Sequence, residues 1–154
     1  MIRSYLLLFM GAAFSCAAQQ KNCSVLLFHN STEAKNKQGE IIKKFKQSAD
    51  MKLLMVETMD RGKETRPADS IWGFQDKYCT IYRNIRYEFF EVKEIIASVI
   101  IYSNRSKGFK GRWIVSYYFS RGYDGPLYLV DKKNIHEQLR DEPQTLARIE
   151  HKYE

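Results

Sequence analysis

The sequence predicts an α+β fold, an antiparallel β-meander with an N-terminal amphipathic helix and a C-terminal helix, the sheet flat or curled towards a small barrel. Three observations carry this reading. Residues 70–121 hold five successive runs rich in β-branched and aromatic residues, each of strand length. Short polar joints separate them, as hairpin connections require. Apolar residues at helical spacing occur only outside this block, on both sides of it.

The elements follow in order. "MIRS", "YLLLFMGAAF" and "SCAAQ" supply the charged, apolar and small-residue parts of a secretory leader over residues 1–18. The apolar stretch is short of the ~20 residues a spanning helix needs. Two cleavages compete. One after Ala18 leaves Gln19 first and a single globular domain over 19–154. The other, before Cys16, leaves that cysteine lipidated, although Ser15 and Ala13 fit the lipoprotein pattern poorly. Either way the chain is expected to be exported. Cys23 and Cys79 then remain in an oxidising compartment. They form a bridge, or Cys79, between Tyr78 and Thr80, is a small buried apolar residue.

"SVLLFHNST" (24–32) reads as a short strand ending in turn residues. Over 33–50, Ile41, Ile42, Phe45 and Ala49 fall on one helical face and Lys43, Lys44 and Lys46 fall away from it. A helix docked on the sheet is the expectation, with a membrane-surface helix as the alternative. "KLLMVET" (52–58) is a second strand, and the polar stretch 59–70, broken by Gly62 and Pro67, reads as a loop. In the fifth run of the central block both faces carry bulk, Trp113, Val115, Tyr117 and Phe119 against Ile114 and Tyr118. That strand is expected to be covered on both sides or to belong to a rolled sheet. Asp124-Gly125 before Pro126 signals a turn, Asp131 is placed to cap a helix, and Leu146, Ile149 and Tyr153 form the stripe of a last helix.

The pieces "SIWGF", the Tyr-Arg of "IYRN", "IIYS", "YYFSRG" and the Lys-Lys-Asn of "DKKNI" resemble a loose group of small exported bacterial proteins of unknown function. The resemblance covers residues 70–135. It implies export and a fold, and no chemistry.

Composition narrows the function classes. With 154 residues, 44% hydrophobic and 28% charged, the chain is of globular type. Ten Tyr and nine Phe, concentrated between residues 72 and 128, suit a half-buried sheet. The net charge of +7 favours an anionic partner, though scattered lysines alone produce such a balance. Export argues against nucleic acid, and a membrane enters only through a lipid at Cys16. No phosphate loop, dinucleotide fingerprint or nucleophile elbow is present. "HEQLR" (136–140) puts Arg140 where a zinc ligand would stand, so no metal and no cofactor are expected.

Two constellations remain. His29, at a strand end, becomes a general base if a carboxylate meets it. The second combines Arg83, Arg86, Arg112 and Arg121 with Trp72, Tyr82, Tyr87, Tyr117 and Tyr118. Arginines among aromatics grip carboxylates, phosphates or sugar rings by forked hydrogen bonds and stacking. The leading expectation is a non-enzymatic exported envelope or interaction protein. The alternatives are a binder of an anionic or sugar-like ligand through this Arg/Tyr face, and a small hydrolase with a non-standard site around His29.

Overall fold

The computed structural model describes residues 22–153. The leader, the cleavage after Ala18 and acylation at Cys16 lie outside these residues. The chain first runs through β1 (Val25–Phe28), α1 (Ser31–Asn36), β2 (Glu40–Gln47), β3 (Leu53–Thr58) and β4 (Lys63–Pro67). A second series follows: β5 (Gly73–Gln75), β6 (Ile81–Ile85), β7 (Glu88–Ile96), β8 (Val99–Lys107) and β9 (Trp113–Arg121). β10 (Tyr128–Leu129), α2 (Lys132–Gln138) and α3 (Pro143–Tyr153) complete it.

All strands join one ten-stranded antiparallel sheet, ordered β10-β9-β8-β7-β6-β5-β1-β2-β3-β4. It is two meanders sewn together where β1 pairs with β5. The order is linear, with β4 and β10 as edges, so the sheet is open and the barrel alternative is not reached. It is nonetheless strongly curled. Residues 68–72 lead from β4 to β5, four places away, which in a flat sheet is about 19 Å. Part of that link is a 3-10 turn, Ala68–Ser70, which advances only about 2 Å per residue. The chain therefore cuts across the curl, with the Ala68 amide donating to Lys52 O and the Trp72 amide to Phe28 O.

The curl encloses one core of Leu27, Ile42, Leu54, Val56, Ala68 and Ile71. A second core lies where Ile135, Leu139 and Ile149 of the helices cover Ile96, Ile101 and Phe119. On the opposite face of β8, Ile100 and Tyr102 pack with Phe90. As expected, Asp131 caps α2 by accepting from the Asn134 amide at 2.8 Å, and Leu146, Ile149 and Tyr153 present the apolar side of α3.

Two sequence expectations are corrected. The helix over 33–50 is confined to Ser31–Asn36, and Ile41, Ile42 and Phe45 lie on β2. The register against β3 shifts between Ile42 and Lys44. That bulge inserts one residue, so Ile42 and Phe45 reach the same core at a spacing of three, which imitates a helix. The polar stretch 59–70 contains β4, an edge strand with no fully buried residue, which accommodates Pro67 because no further strand needs its missing N–H. In β9 the two-sided cover is reached only at the inner end; Trp113, Ile114 and Val115 are exposed.

Cys23 and Cys79 are bridged, with Cα atoms 5.2 Å apart. The bond fastens the segment before β1 to the β5–β6 connection, where the Cys23 amide also donates to Lys77 O at 2.9 Å. Closing a loop with a sequence separation of 56 stabilises by about 4 kcal/mol in the chain-entropy account.

Candidate functional site

Arg83 lies in the middle of β6, beside two close backbone approaches. Gly73 sits opposite it on β5, and a Cβ there would lie 2.0 Å from Tyr82 O. Gly125, in the turn after β9, would bring a Cβ within 2.3 Å of Arg121 O. A side chain at either position would collide with backbone, so both take glycine, and the Arg83 guanidinium reaches the Gly125 carbonyl.

The side chain is 8% exposed. Its Nη1 donates to Tyr102 Oη at 3.2 Å and to Ser120 Oγ at 3.3 Å, and Nη2 donates to Gly125 O at 2.9 Å. Ser120 Oγ spends its proton on Gly122 O at 2.7 Å, so Tyr102 is the donor in its 3.1 Å contact with Ser120. The guanidinium also lies 5.8 Å from the Trp72 ring and 5.7 Å from the Tyr102 ring. Every one of these partners is neutral. Among the described residues Arg83 has no carboxylate partner. A guanidinium has five N–H donors, so Nε–H and one Nη2–H are left without a protein acceptor there.

Arg83 lines a cleft of about 740 Å³ together with Arg86, Glu88, Asp124 and the apolar Phe90 and Leu127. Arg86 reaches it from the β6–β7 turn, where Ile85 pairs with Glu88 and the two residues between both have positive φ, +50° at Arg86 and +71° at Tyr87. A two-residue hairpin needs that handedness and ordinarily meets it with Asn-Gly. Side chains in this region cost about 1–3 kcal/mol each and persist where their surroundings over-determine them. Tyr87 is so held: its ring packs in the curl's core and its carbonyl accepts from Gln47 Nε2 at 2.7 Å. Arg86 and Asn84 also line a smaller cleft with Asp69 and Tyr87, and Asn84 Oδ1 is buried with no donor among the described residues.

No family model matches the chain, and neither does any curated protein or solved structure. The site therefore has to be read from its own geometry.

Of the residues singled out from the sequence, Arg83, Arg86 and Trp72 come together here. The others do not. Arg121 pairs with Asp141 and, at 3.4 Å, Glu142, tying β9 to the helices. Arg112 is exposed beside the β8–β9 turn. Tyr82 stacks on Phe74 at 4.6 Å on the other side of β6, Tyr117 lies 4.9 Å from Tyr153 under α3, and Tyr118 meets Phe90 edge-on. Tyr102, Ser120, Gly125 and Asp124 were not foreseen. Tyr102 sits inside an unbroken apolar run and Ser120 carries no pattern, so neither advertises a polar role.

His29 does meet a carboxylate: its Nε2 is 3.3 Å from Glu40 Oε2. But Glu40 also accepts from Arg61 at 2.7 Å and from Arg66 at 2.6 and 3.0 Å. The Arg66 hydrogen bond foremost, opposed by partial burial and helped by the remaining cations, holds the Glu40 carboxyl down at about 2. Arg66 is shared with Glu64. No hydroxyl or thiol hydrogen-bonds His29 among the described residues, so this cluster pairs charges and assembles no nucleophile and base. Nor do three or more His, Cys, Asp or Glu converge on a metal position among the described residues. A groove of about 500 Å³ over β2–β4 is lined by Lys44, Met55, Glu57 and Lys63, with Lys44 already paired to Glu57 at 3.5 Å. It holds no buried charge, and the chemistry favours the Arg83 cleft.

Proposed function

We propose that the chain is an exported, non-enzymatic binding protein of the cell envelope whose Arg83 cleft takes a small anionic ligand, a carboxylate or phosphate ester that is sugar-like in its hydroxyl groups. One observation carries this: a buried guanidinium, surrounded by neutral oxygens, with donors to spare at an open cleft. Burying an unpaired charge is costly, and an incoming anion with forked oxygens relieves that cost. Arg86 at the rim adds attraction. Glu88 and Asp124 accept hydroxyls, and Phe90 and Leu127 offer an apolar wall to a ring. The Cys23–Cys79 bridge supports an oxidising compartment, and the leader composition supports export by either route, to a soluble form beginning at Gln19 or a form anchored through Cys16.

The test is a thermal-shift and calorimetric screen of the oxidised protein against small carboxylates, phosphate esters and acidic sugars. A ligand is expected to raise Tm in wild type. Arg86→Ala, at an exposed turn position, is expected to weaken binding about tenfold while leaving the unliganded stability within about half a kcal/mol of wild type. A flat response across the whole screen, or binding indifferent to Arg86→Ala and Arg83→Lys alike, rejects the reading.

A further inference from the structure

The β8–β9 hairpin loses its backbone pairing with β7 after Ser103. There Asn104 Nδ2 still donates to Glu88 Oε2 at 3.2 Å, and Arg105 and Ser106 line a cleft beside Phe89. Up to Ser103 β8 is paired on both sides, with β7 and with β9. Beyond it, the pairs Asn104–Ser116, Arg105–Val115, Ser106–Ile114 and Lys107–Trp113 continue with β9 alone, as a two-stranded arm closed by residues 108–112. Burial falls accordingly, from fully covered at Val99–Tyr102 to exposed at Arg105–Lys107 and Trp113–Val115. An isolated two-stranded ribbon gains little from its own packing, yet this one carries large apolar side chains in water. Phe109 is 86% exposed and Trp113 65%, and Ile114 and Val115 are exposed beside them.

The charges on the arm all have one sign. Arg105, Lys107, Lys110 and Arg112 surround the apolar residues, and no Asp or Glu occurs between Glu94 and Asp124. None of the four forms an ion pair among the described residues. Period-two alternation puts Arg105, Lys107, Trp113 and Val115 on one face of the ribbon. At the tip Lys107 Nζ lies 5.6 Å from the Trp113 ring, and Lys110 Nζ 5.6 Å from the Phe109 ring. The amphipathic ring of Trp settles at headgroup depth, Phe and aliphatics at or just beneath it, and cations at the anionic surface above them. A glycan would use the rings and the charges but would give Ile114 and Val115 nothing to enter.

We propose that the β8–β9 tip is a membrane-surface anchor that inserts Phe109 and Trp113 into the interface of an anionic lipid bilayer while Arg105, Lys107, Lys110 and Arg112 bind its headgroups. This contact is separate from the Arg83 cleft and needs no acyl chain.

The experiment uses the full chain carrying Cys16→Ser, which removes acylation and leaves every described residue unchanged. Co-sedimentation is measured with vesicles of phosphatidylcholine alone and of phosphatidylcholine mixed with phosphatidylglycerol, alongside a soluble anionic polysaccharide. Binding is expected to the mixed vesicles, with a blue shift of tryptophan emission that Trp113→Phe removes. Phe109→Ser/Trp113→Ser is expected to lower vesicle affinity about tenfold or more. Lys107→Ala and Lys110→Ala are expected to lower it about fivefold each and to reduce its salt dependence. Because these side chains are exposed, Tm of each variant should stay near that of its parent. Equal sedimentation of parent and Phe109→Ser/Trp113→Ser, failure of the parent to bind mixed vesicles, or preferential binding to the polysaccharide each overturns the proposal.

Discussion

In β8 the residues Val99–Tyr102 are covered on both faces, by the helices on one side and by Phe90 and Tyr118 on the other. In β3, by contrast, Leu54 and Val56 are buried while Leu53 and Met55, on the alternate positions, are exposed. The half of the sheet that contains β8 is held by apolar cover. In the half that contains β1–β4, β1 is still covered on both faces, by Leu27's core on one side and by Ala34 of α1 against Leu26 and Phe28 on the other. Cover narrows to one face by β3, and the disulfide at its start and the Arg61–Glu40–Arg66–Glu64 chain across β2 and β4 add further ties to this half. The difference teaches that in a small domain with few helices a long sheet draws on apolar cover where helices reach it and leans more on covalent and ionic links where they do not, although the β8 half is also pinned by ion pairs from Arg121 and Glu94.

The largest expected effect comes from removing the covalent tie. Cys23→Ser/Cys79→Ser should lose about 4 kcal/mol in denaturant titrations. Hydrogen exchange sharpens the comparison, since amides of β2–β4 should accelerate more than those of the β8–β9 inner ends. Uniform acceleration would show that the halves unfold as one unit and that the distinction is only visual. Next comes the apolar tie. Ile101→Ala, which opens a cavity under the helices, should cost about 3 kcal/mol and loosen α3 before it loosens β3. A change below about 1 kcal/mol would mean that the helices contribute little to this core.

The smallest effect belongs to the ionic tie. Glu40→Gln should cost about 1 kcal/mol at neutral pH, as Arg66 keeps Glu64 and Arg61 turns to water. Its signature is the pH dependence. Glu40 has a folded pKa of about 2, lowered from 4.5, so its contribution is complete above about pH 4.5 and is lost as pH falls towards 2. Wild-type Tm should decline across that window more steeply than Glu40→Gln does. Parallel acid limbs would remove Glu40 from the account.

Much of this fold was legible because local pattern and tertiary role agree in the β5–β9 runs, the Asp131 cap and the α3 stripe. β2 and β4 were misread for different reasons. The bulge after Ile42 turned an alternating strand into a helix-like spacing. β4 is an edge whose polar residues face water in any conformation, so nothing in its composition declares a partner. The site was half legible. Arginines near aromatics are visible in the chain, but which guanidinium goes into the interior depends on Tyr102, Ser120 and the Gly125 carbonyl meeting it there. The last of these is a contact across 42 residues, and no local signal reports it. The acidic partners of Arg121 and Arg66 were equally invisible, and they are what separates a structural arginine from one with donors in reserve.

The position of the disulfide also has a mechanical meaning. A pull on the segment before Cys23 passes through the sulfur bridge directly to Cys79 at the β5–β6 connection. Residues 24–78, which include all of β1–β4, lie outside the load path while the bond is oxidised. If the protein is held by its N-terminal end, tension therefore bypasses the half of the sheet with the thinner cover. Reduction would place that half in series with the load, and the added extension could be read in a single-molecule stretching trace.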